Sequence, residues 1–197
     1  MLLAWTSASA QACTLGYAPQ ATAASIALEK ASGTAVPSNG RATRNLILGA
    51  NYLQSHILHF YHLAGQDFIQ GPDTAPFMPR YAKPDLRLPP AINAVGVDQY
   101  VEALEVRAVC HEMVALFGGR MPHVHGILAG GAAEIPTKEK LVEYAARFKK
   151  VRKFVEEKYL PVVYLVGSQY KDLGAFGQGY RNALCVGVFP LDDEGKE

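Results

Sequence analysis

Apolar and polar positions follow a helical period through most of the chain. Between residues 41 and 66, apolar side chains recur at alternating steps of four and three, which is the spacing of one helical face. Three more apolar residues, Leu48, Tyr52 and Leu63, lie off this stripe, so the helix is apolar on two faces. We therefore expect a buried central helix. The stripe consists of Leu46, Ala50, Leu53, Ile57, Phe60 and Ala64.

The same pattern predicts helices on both sides of this segment. Residues 20–33 are rich in Ala and end at Gly33, a residue type that commonly terminates helices. Thr137 is suited to cap a helix that runs toward Tyr164 and that Pro161 interrupts. Residues 95–117 form the remaining long helix. Its apolar positions are Val97, Tyr100, Val101, Leu104, Ala108, Met113 and Leu116.

Irregular connections separate these helices. Residues 34–40 read as a loop, and residues 69–92 as an extended Pro-rich connection, because six prolines fall within 22 residues. Near the end, "GAFGQGYRNALCVGVFPL" predicts a loop followed by a strand, and residues 192–197 a frayed tail. The fold class is mainly α with little sheet, in a single domain over residues 1–197.

Composition limits the partners and the compartment. Of 197 residues, 49% are apolar and 19% charged, so we expect surface buried against another subunit. A net charge of +1 provides no electrostatic field that would attract nucleic acid. No apolar run reaches the length that a membrane-spanning helix requires. The opening "MLLAWTSASAQAC" lacks the basic residues of a signal peptide. Three widely spaced cysteines fit a reducing compartment, so we expect a cytoplasmic protein, or one held beside a membrane complex by partners.

Three histidines, His56, His59 and His62, fall in the central helix within "SHILHFYHL". At steps of three they share a helical face and could bind zinc, but no carboxylate stands at helical spacing from them. Buried histidines in the core or an interface are the favoured interpretation.

A second histidine pair, His123 and His125, lies in "RMPHVHG". An extended H-x-H segment points both rings to one side, as metal sites often require. The alternative is that these side chains hydrogen-bond the backbone of their own loop. Both interpretations stay open for His123, and the backbone role is favoured for His125. Cys110, in the middle of a helix, is expected to be a packing residue.

Three stretches resemble the large subunit of nickel–iron hydrogenases: "RNLILGANYLQSHILHFYHL", "LEVRAVCHEMVALFGGRMPHVHGILAGG" and, more weakly, "GYRNALCVGVFPL". Their order and spacing fit over nearly the whole chain. The resemblance implies the helical core of that fold. It also implies a small-subunit-like iron–sulfur partner, whose proximal cluster faces a histidine of the Gly-rich loop. His123 is the residue that would contact this cofactor, either by hydrogen-bonding a cluster sulfur or by passing a proton.

The resemblance also implies a metal site, which four cysteines in two C-x-x-C motifs provide in the family. The early motif falls on residues 13–16, where Cys13 is the first ligand and Gly16 replaces the second. Gln11 and Gln20 stand where the family has an arginine and a histidine, and the late motif has no match. One thiolate cannot hold the two metals. We therefore expect no nickel–iron centre in this chain, with Cys13 as its single candidate metal ligand and a small buried cysteine as the alternative.

These expectations leave the question of enzymatic activity open. The leading hypothesis is a non-catalytic scaffold subunit, similar to a hydrogenase large subunit with a degenerate active site, in a larger heteromeric iron–sulfur electron-transfer complex. The alternative is one part of a split nickel–iron hydrogenase large subunit whose remaining metal ligands come from another chain. A third possibility is a piece of a longer protein, although Met1 and the acidic ending "DDEGKE" suggest a natural reading frame. The isolated chain is expected to aggregate or to need its partner.

Overall fold

The structure is a computed structural model that describes residues 17–80, 84–176, 182 and 189–192. The chain divides into two compact units. The first comprises Met1–Ser55, Ala108–Phe148 and Cys185–Glu197, and the second His56–Arg107 and Lys149–Leu184. Helices make up most of both units, which confirms the mainly α prediction. The single-domain organisation over residues 1–197 stays a prediction.

The first unit begins its described part with helix α1, Tyr17–Ser32. Gly33 ends the helix as predicted, with a left-handed φ of 65°. The amide of Thr34 donates to the carbonyl of Glu29 at 3.0 Å, the bond that closes a Schellman C-cap. One face of α1 is buried, and three of its five members are polar. These residues are Ala18, Ala21, Thr22, Ser25 and Glu29.

Gly33→Ala is expected to lower the free energy of unfolding by about 1 kcal/mol, because an alanine side chain disfavours positive φ. A Cβ at this position meets no atom within 4 Å, so the cost comes from the backbone conformation alone. Asparagine tolerates this region better, and Gly33→Asn should lose roughly half as much. Urea unfolding followed by circular dichroism measures both changes. Equal losses in the two variants would contradict this explanation.

The central helix is α2, Ser38–Ile57, followed directly by a π-helical segment, Leu58–Ala64, and a short helix α3, Gly65–Phe68. The prediction of one long helix over residues 41–66 is therefore confirmed, whereas the predicted loop over residues 34–40 is wrong for residues 38–40, which are helical. The apolar pattern of the long helix predicted only some of the buried positions correctly. Ala50 and Ile57 are buried as predicted. Leu63 is 51% exposed, so the second apolar face is exposed at this position. Buried polar residues of α2 are Thr43, Arg44, Asn51 and Gln54.

Helix α4, Pro90–Gly118, starts at a proline whose missing N–H costs nothing at a helix start. The buried face of α4 does not include the apolar positions Val101 and Leu104, which are 57% and 46% exposed. Ala103 and Val106 are buried in their place. Apolar residues occur on all sides of this helix, so periodicity could not select the buried face.

The last long helical stretch consists of α5, Lys138–Phe154, a π-helical turn, Val155–Tyr159, and α6, Leu160–Gln169. Thr137 caps α5 as predicted, accepting a hydrogen bond from the Lys140 amide at 3.4 Å. The π-helical turn stands directly before Pro161, which has no N–H to continue the α-helical ladder. A 3₁₀ turn, Lys171–Ala175, follows α6.

Residues 69–80 and 84–89 contain no helix or strand, as predicted for the Pro-rich connection, but residues 90–92, which were predicted to belong to it, form the first turn of α4. Arg87 holds this connection within the second unit: its guanidinium pairs with Asp85 and Asp172 and lies 4.7 Å from the centre of the Tyr170 ring. In the first unit, two short strands, β1 at Ile127–Leu128 and β2 at Gly131–Ala132, form an antiparallel pair. The strand predicted near the end falls mostly on residues 183–188, outside the described residues.

Candidate functional site

A buried ion pair in the first unit holds the turn between β1 and β2. Glu29 of α1 and Arg44 of α2 are 7% and 6% exposed, and their carboxylate and guanidinium form a two-pronged contact. Arg44 also donates from Nε to the carbonyl of Gly131 at 2.7 Å and from a terminal nitrogen to the carbonyl of Leu128. The amide of Gly130 donates to Glu29 at 2.7 Å. Both charges are therefore satisfied by each other and by one turn of backbone.

Residues 119–126, here called the histidine loop, lie between α4 and this turn. The amides of His125 and Gly126 both donate to the carbonyl of Gly118, at 2.9 and 3.1 Å. Val124 is fully buried, so the loop is anchored to the first unit by a side chain as well. His123 is half-buried and His125 exposed. The predicted extended H-x-H geometry is wrong, because His123 has a left-handed φ of 64°.

The histidines of the central helix lie in the second unit. His56 and His59 are exposed, so they are not core residues of the described part of the chain, and their burial in an interface stays a prediction. His62 is half-buried, its Nε2 lies 3.1 Å from the carbonyl oxygen of Tyr100, and its ring packs against the Tyr100 ring. The π-helical segment widens the turn here, so steps of three no longer bring residues onto one face. These three histidines form no metal-binding group.

Tyr61, the neighbour of His62, is buried and donates a hydrogen bond to the Gln99 side chain at 2.8 Å. Burial is the main reason that its pKa lies far above the ordinary value, and the nearby Tyr159 and Glu102 raise it further. Its hydroxyl therefore stays protonated at physiological pH, and its role in the second unit is that of a buried donor.

Protonation of His62 is expected to reduce stability. Burial lowers its pKa below 6.5, and the positive charge of Arg107 adds to this, although the hydrogen bond with Tyr100 opposes it. The native state then binds fewer protons than the unfolded state, so the stabilisation is complete above pH 6.5 and is lost as the pH falls through the folded-state pKa. Urea unfolding between pH 7.5 and pH 5 should show a decline that His62→Gln reduces. His59→Gln, an exposed control, should leave the decline unchanged, and an equal effect of both would contradict the assignment.

Cysteine positions bear on the implied metal centre. Cys13, Gly16 and Cys185 lie outside the described residues. Cys110 is fully buried in α4, which confirms its packing role. Over residues 17–80 and 84–176, no three His, Cys, Asp or Glu side chains come together in a group that could hold a metal ion. The described residues therefore do not form a metal centre by themselves, and the call of Cys13 as a ligand stays a prediction.

A family model described as nickel-dependent hydrogenase matches residues 4–73 and 66–197. The chain belongs to this family. It is 56% identical, over 191 residues, to the periplasmic NiFeSe hydrogenase large subunit of Desulfomicrobium baculatum, covering 92% of this chain and 37% of that protein. The solved Ni-Fe-Se hydrogenase of Desulfovibrio vulgaris Hildenborough is 67% identical, with a TM-score of 0.92 over 98% of this chain and 40% of that one. The hydrogenase-2 large chain of Escherichia coli is 26% identical and covers 85% of this chain.

Two expectations from the sequence are corrected by these matches. The hypothesis of a non-catalytic scaffold subunit is wrong, because relatives at 56% and 67% identity are NiFeSe hydrogenases. The expectation that the nickel–iron centre is absent is wrong for the same reason. Both expectations came from counting the cysteine ligands within this chain alone. The chain spans only 37% of the Desulfomicrobium relative and 40% of the Desulfovibrio relative.

The expected location is also only partly supported. No helix among the described residues of this hydrogenase family member is long and apolar enough to cross a membrane. The Desulfomicrobium relative is named as periplasmic, which goes against the expectation of a cytoplasmic protein.

Sequence reasoning missed the pair of Glu29 and Arg44 completely. Glu29 stands in the first predicted helix, which carries little other charge, and Arg44 stands at the head of "RNLILGANYLQSHILHFYHL". An isolated charge on the apolar face of a helix is a signal for a buried partner, because unpaired charges are rarely buried. In α1, Glu29 does follow the buried positions Ala18, Thr22 and Ser25 at helical spacing.

Proposed function

We propose that this chain forms part of the large subunit of a nickel-dependent hydrogenase of the NiFeSe type, which oxidises or produces dihydrogen. The observation that carries the proposal is the likeness to the Desulfovibrio Ni-Fe-Se hydrogenase, with 67% identity and a TM-score of 0.92 over 98% of this chain. Identity at this level over nearly the whole of this chain supports a shared activity as well as a shared fold.

The metal centre would be completed by polypeptide outside this sequence. Cys13 would supply one thiolate, and soft sulfur or selenium ligands suit nickel and low-valent iron. Gly16 has no side chain to coordinate with, and the relatives are roughly two and a half times as long as this chain, judging from the 40% that is covered. The remaining ligands would come from a separate chain, as in a split large subunit, or from further residues of the same chain.

A small iron–sulfur subunit is the proposed partner, and its cluster would lie near the histidine loop, where His123 would hydrogen-bond a cluster sulfur or pass a proton. The exposed apolar side chains fit assembly with further polypeptide. In the second unit, Val95, Val101 and Leu104 of α4 are 43–57% exposed, and Tyr164 of α6 is 75% exposed. Large exposed apolar surfaces of this kind mark interfaces. The periplasm is the proposed compartment, after the Desulfomicrobium relative.

The test is metal analysis of the native complex, purified anaerobically through a tag on this chain. We expect about one nickel per chain, selenium or sulfur ligation, hydrogen–deuterium exchange activity, and a copurifying polypeptide that carries the remaining ligands. Cys13→Ser should abolish nickel binding, whereas Cys110→Ser, which changes a buried packing residue of α4, should retain the metal. A complex without nickel, or nickel explained by a copurifying intact large subunit, would overturn the proposal.

A further inference from the structure

We infer that Glu29 and Arg44 are positioning residues for His123: their buried ion pair fixes the turn at residues 128–131 and, through that turn, the histidine loop. The inference rests on the proposed function for the identity of the group that His123 meets, a cluster of the iron–sulfur partner. The fixing of the loop depends only on contacts within the first unit and is tested separately below.

The first step is the hold on the turn. Arg44 donates to the carbonyls of Leu128 and Gly131, and Glu29 accepts from the amide of Gly130. The two side chains also bind each other through the parallel prongs of guanidinium and carboxylate. A lysine could not reproduce this arrangement, because its single ammonium group has no planar fork of donors. Three backbone groups of one turn are thereby fixed to α1 and α2.

The second step carries this geometry from the turn to the histidine loop. β1 and β2 pair on either side of the turn, and the amide of Ala133 donates to the carbonyl of Gly126 at 3.0 Å. Gly126 in turn lies directly against the end of α4, where its amide and that of His125 share the carbonyl of Gly118. Movement of the turn would therefore pull on the C-terminal end of the histidine loop.

The third step concerns His123 itself. Its φ of 64° lies in the left-handed region, which residues other than glycine adopt uncommonly, although histidine adopts it more often than most, and such a conformation persists where the surroundings hold it. The side chain of Arg120 donates from Nε to the carbonyl of His123 at 2.8 Å, which holds the start of the loop, and the bonds to Gly118 hold its end. A fixed backbone at His123 sets the direction of its Cα–Cβ bond and so the region that its ring can reach, as contact with a cofactor requires.

A buried ion pair could also serve stability alone, so the experiment needs readouts that stability does not change. In the complete complex with the iron–sulfur partner, we would compare Arg44→Lys, Glu29→Gln and the control Arg147→Gln. Arg147 belongs to the same unit but pairs with Glu112 and Glu143 at the surface. The first readout is amide hydrogen exchange at His125, Gly126 and Gly130. The second is the midpoint potential and paramagnetic resonance signal of the partner's cluster.

We expect Arg44→Lys and Glu29→Gln to raise exchange at these three amides by roughly tenfold or more while the rest of the first unit keeps its protection. The cluster signal and potential should shift in both variants and stay unchanged in Arg147→Gln. Wild-type exchange at His125 and Gly126 in folded variants, with an unchanged cluster signal, would overturn the inference. If Arg44→Lys does not fold, Glu29→Gln decides, because it keeps the shape of the side chain and removes only its charge.

Failure of the proposed function gives a different result. If the wild-type complex holds no iron–sulfur partner, there is no cluster signal to compare. Amide exchange would still show whether the ion pair fixes the loop. Increased exchange with an unchanged cluster signal would contradict the role toward the cofactor while leaving the proposed function intact.

Discussion

Gly126→Ala is expected to destabilise the protein by roughly 3 kcal/mol, the upper end of the usual cost of overpacking. A Cβ on Gly126 would lie 2.2 Å from the carbonyl oxygen of Phe117 and 2.8 Å from the Cα of Gly118. Both atoms belong to the backbone at the end of α4, and Phe117 is fully buried, so neither can move aside cheaply. The alanine would force the histidine loop away from α4 and break the bonds to the Gly118 carbonyl.

Urea unfolding of Gly126→Ala and of Gly167→Ala measures this effect against a matched substitution. Gly167 lies exposed in α6, and a Cβ there meets no atom within 4 Å. Alanine at that position should stabilise the helix by about 0.5–1 kcal/mol. A wild-type midpoint for Gly126→Ala would show that the loop is not packed against α4 as described.

Helix positions could be predicted from the sequence because local signals set them. Gly33 ends α1 where a left-handed residue is needed, and Thr137 caps α5. Pro161 interrupts the last helical stretch, as its missing N–H requires, and the preceding turn is π-helical. The other π-helical segment, Leu58–Ala64, contains no proline and no other local signal that could have predicted it.

The buried faces were harder to predict than the helices. A hydrophobic pattern records every surface that a helix buries, whether against its own chain or against another polypeptide, and it cannot tell the two apart. Leu63 was therefore expected on a buried face, and Val101 and Leu104 were counted in the apolar pattern of α4, although all three are exposed here. The same limit applies to His56 and His59, which were expected to be buried in the core or an interface and are exposed here.

The candidate site was only partly accessible from the sequence. The motif around His123 could be found from local residues, but its left-handed conformation could not. Glu29 and Arg44 are 15 residues apart and belong to different helices, and the turn that they bind lies 84 and more residues beyond Arg44. Contacts at such separations depend on tertiary packing, for which one sequence provides no direct signal.

Arg44→Met is expected to cost about 3–5 kcal/mol of stability, the range for breaking a buried ion pair from one side. The substitution leaves the Glu29 carboxylate buried near the carbonyls of Leu128 and Gly131, with the Gly130 amide still donating to it. Glu29→Leu should cost less, because the remaining guanidinium still donates to both carbonyls. The control Arg147→Met breaks only exposed pairs with Glu112 and Glu143 and should change stability by no more than about 0.5 kcal/mol.

The double variant of Glu29→Leu and Arg44→Met separates two costs in stability. One is the cost of a buried charge without its partner, and the other is the cost of backbone groups that lose their hydrogen bonds. The double variant contains neither buried charge, so it should be at least as stable as Arg44→Met alone, with a coupling of roughly 1–3 kcal/mol between the two sites. It should remain below the wild type, because the carbonyls of Leu128 and Gly131 and the amide of Gly130 lose their partners. If the double variant loses the sum of the stabilities lost by the two single variants, each residue is held by the backbone independently. In that case the ion pair would not be the element that joins α1, α2 and the turn.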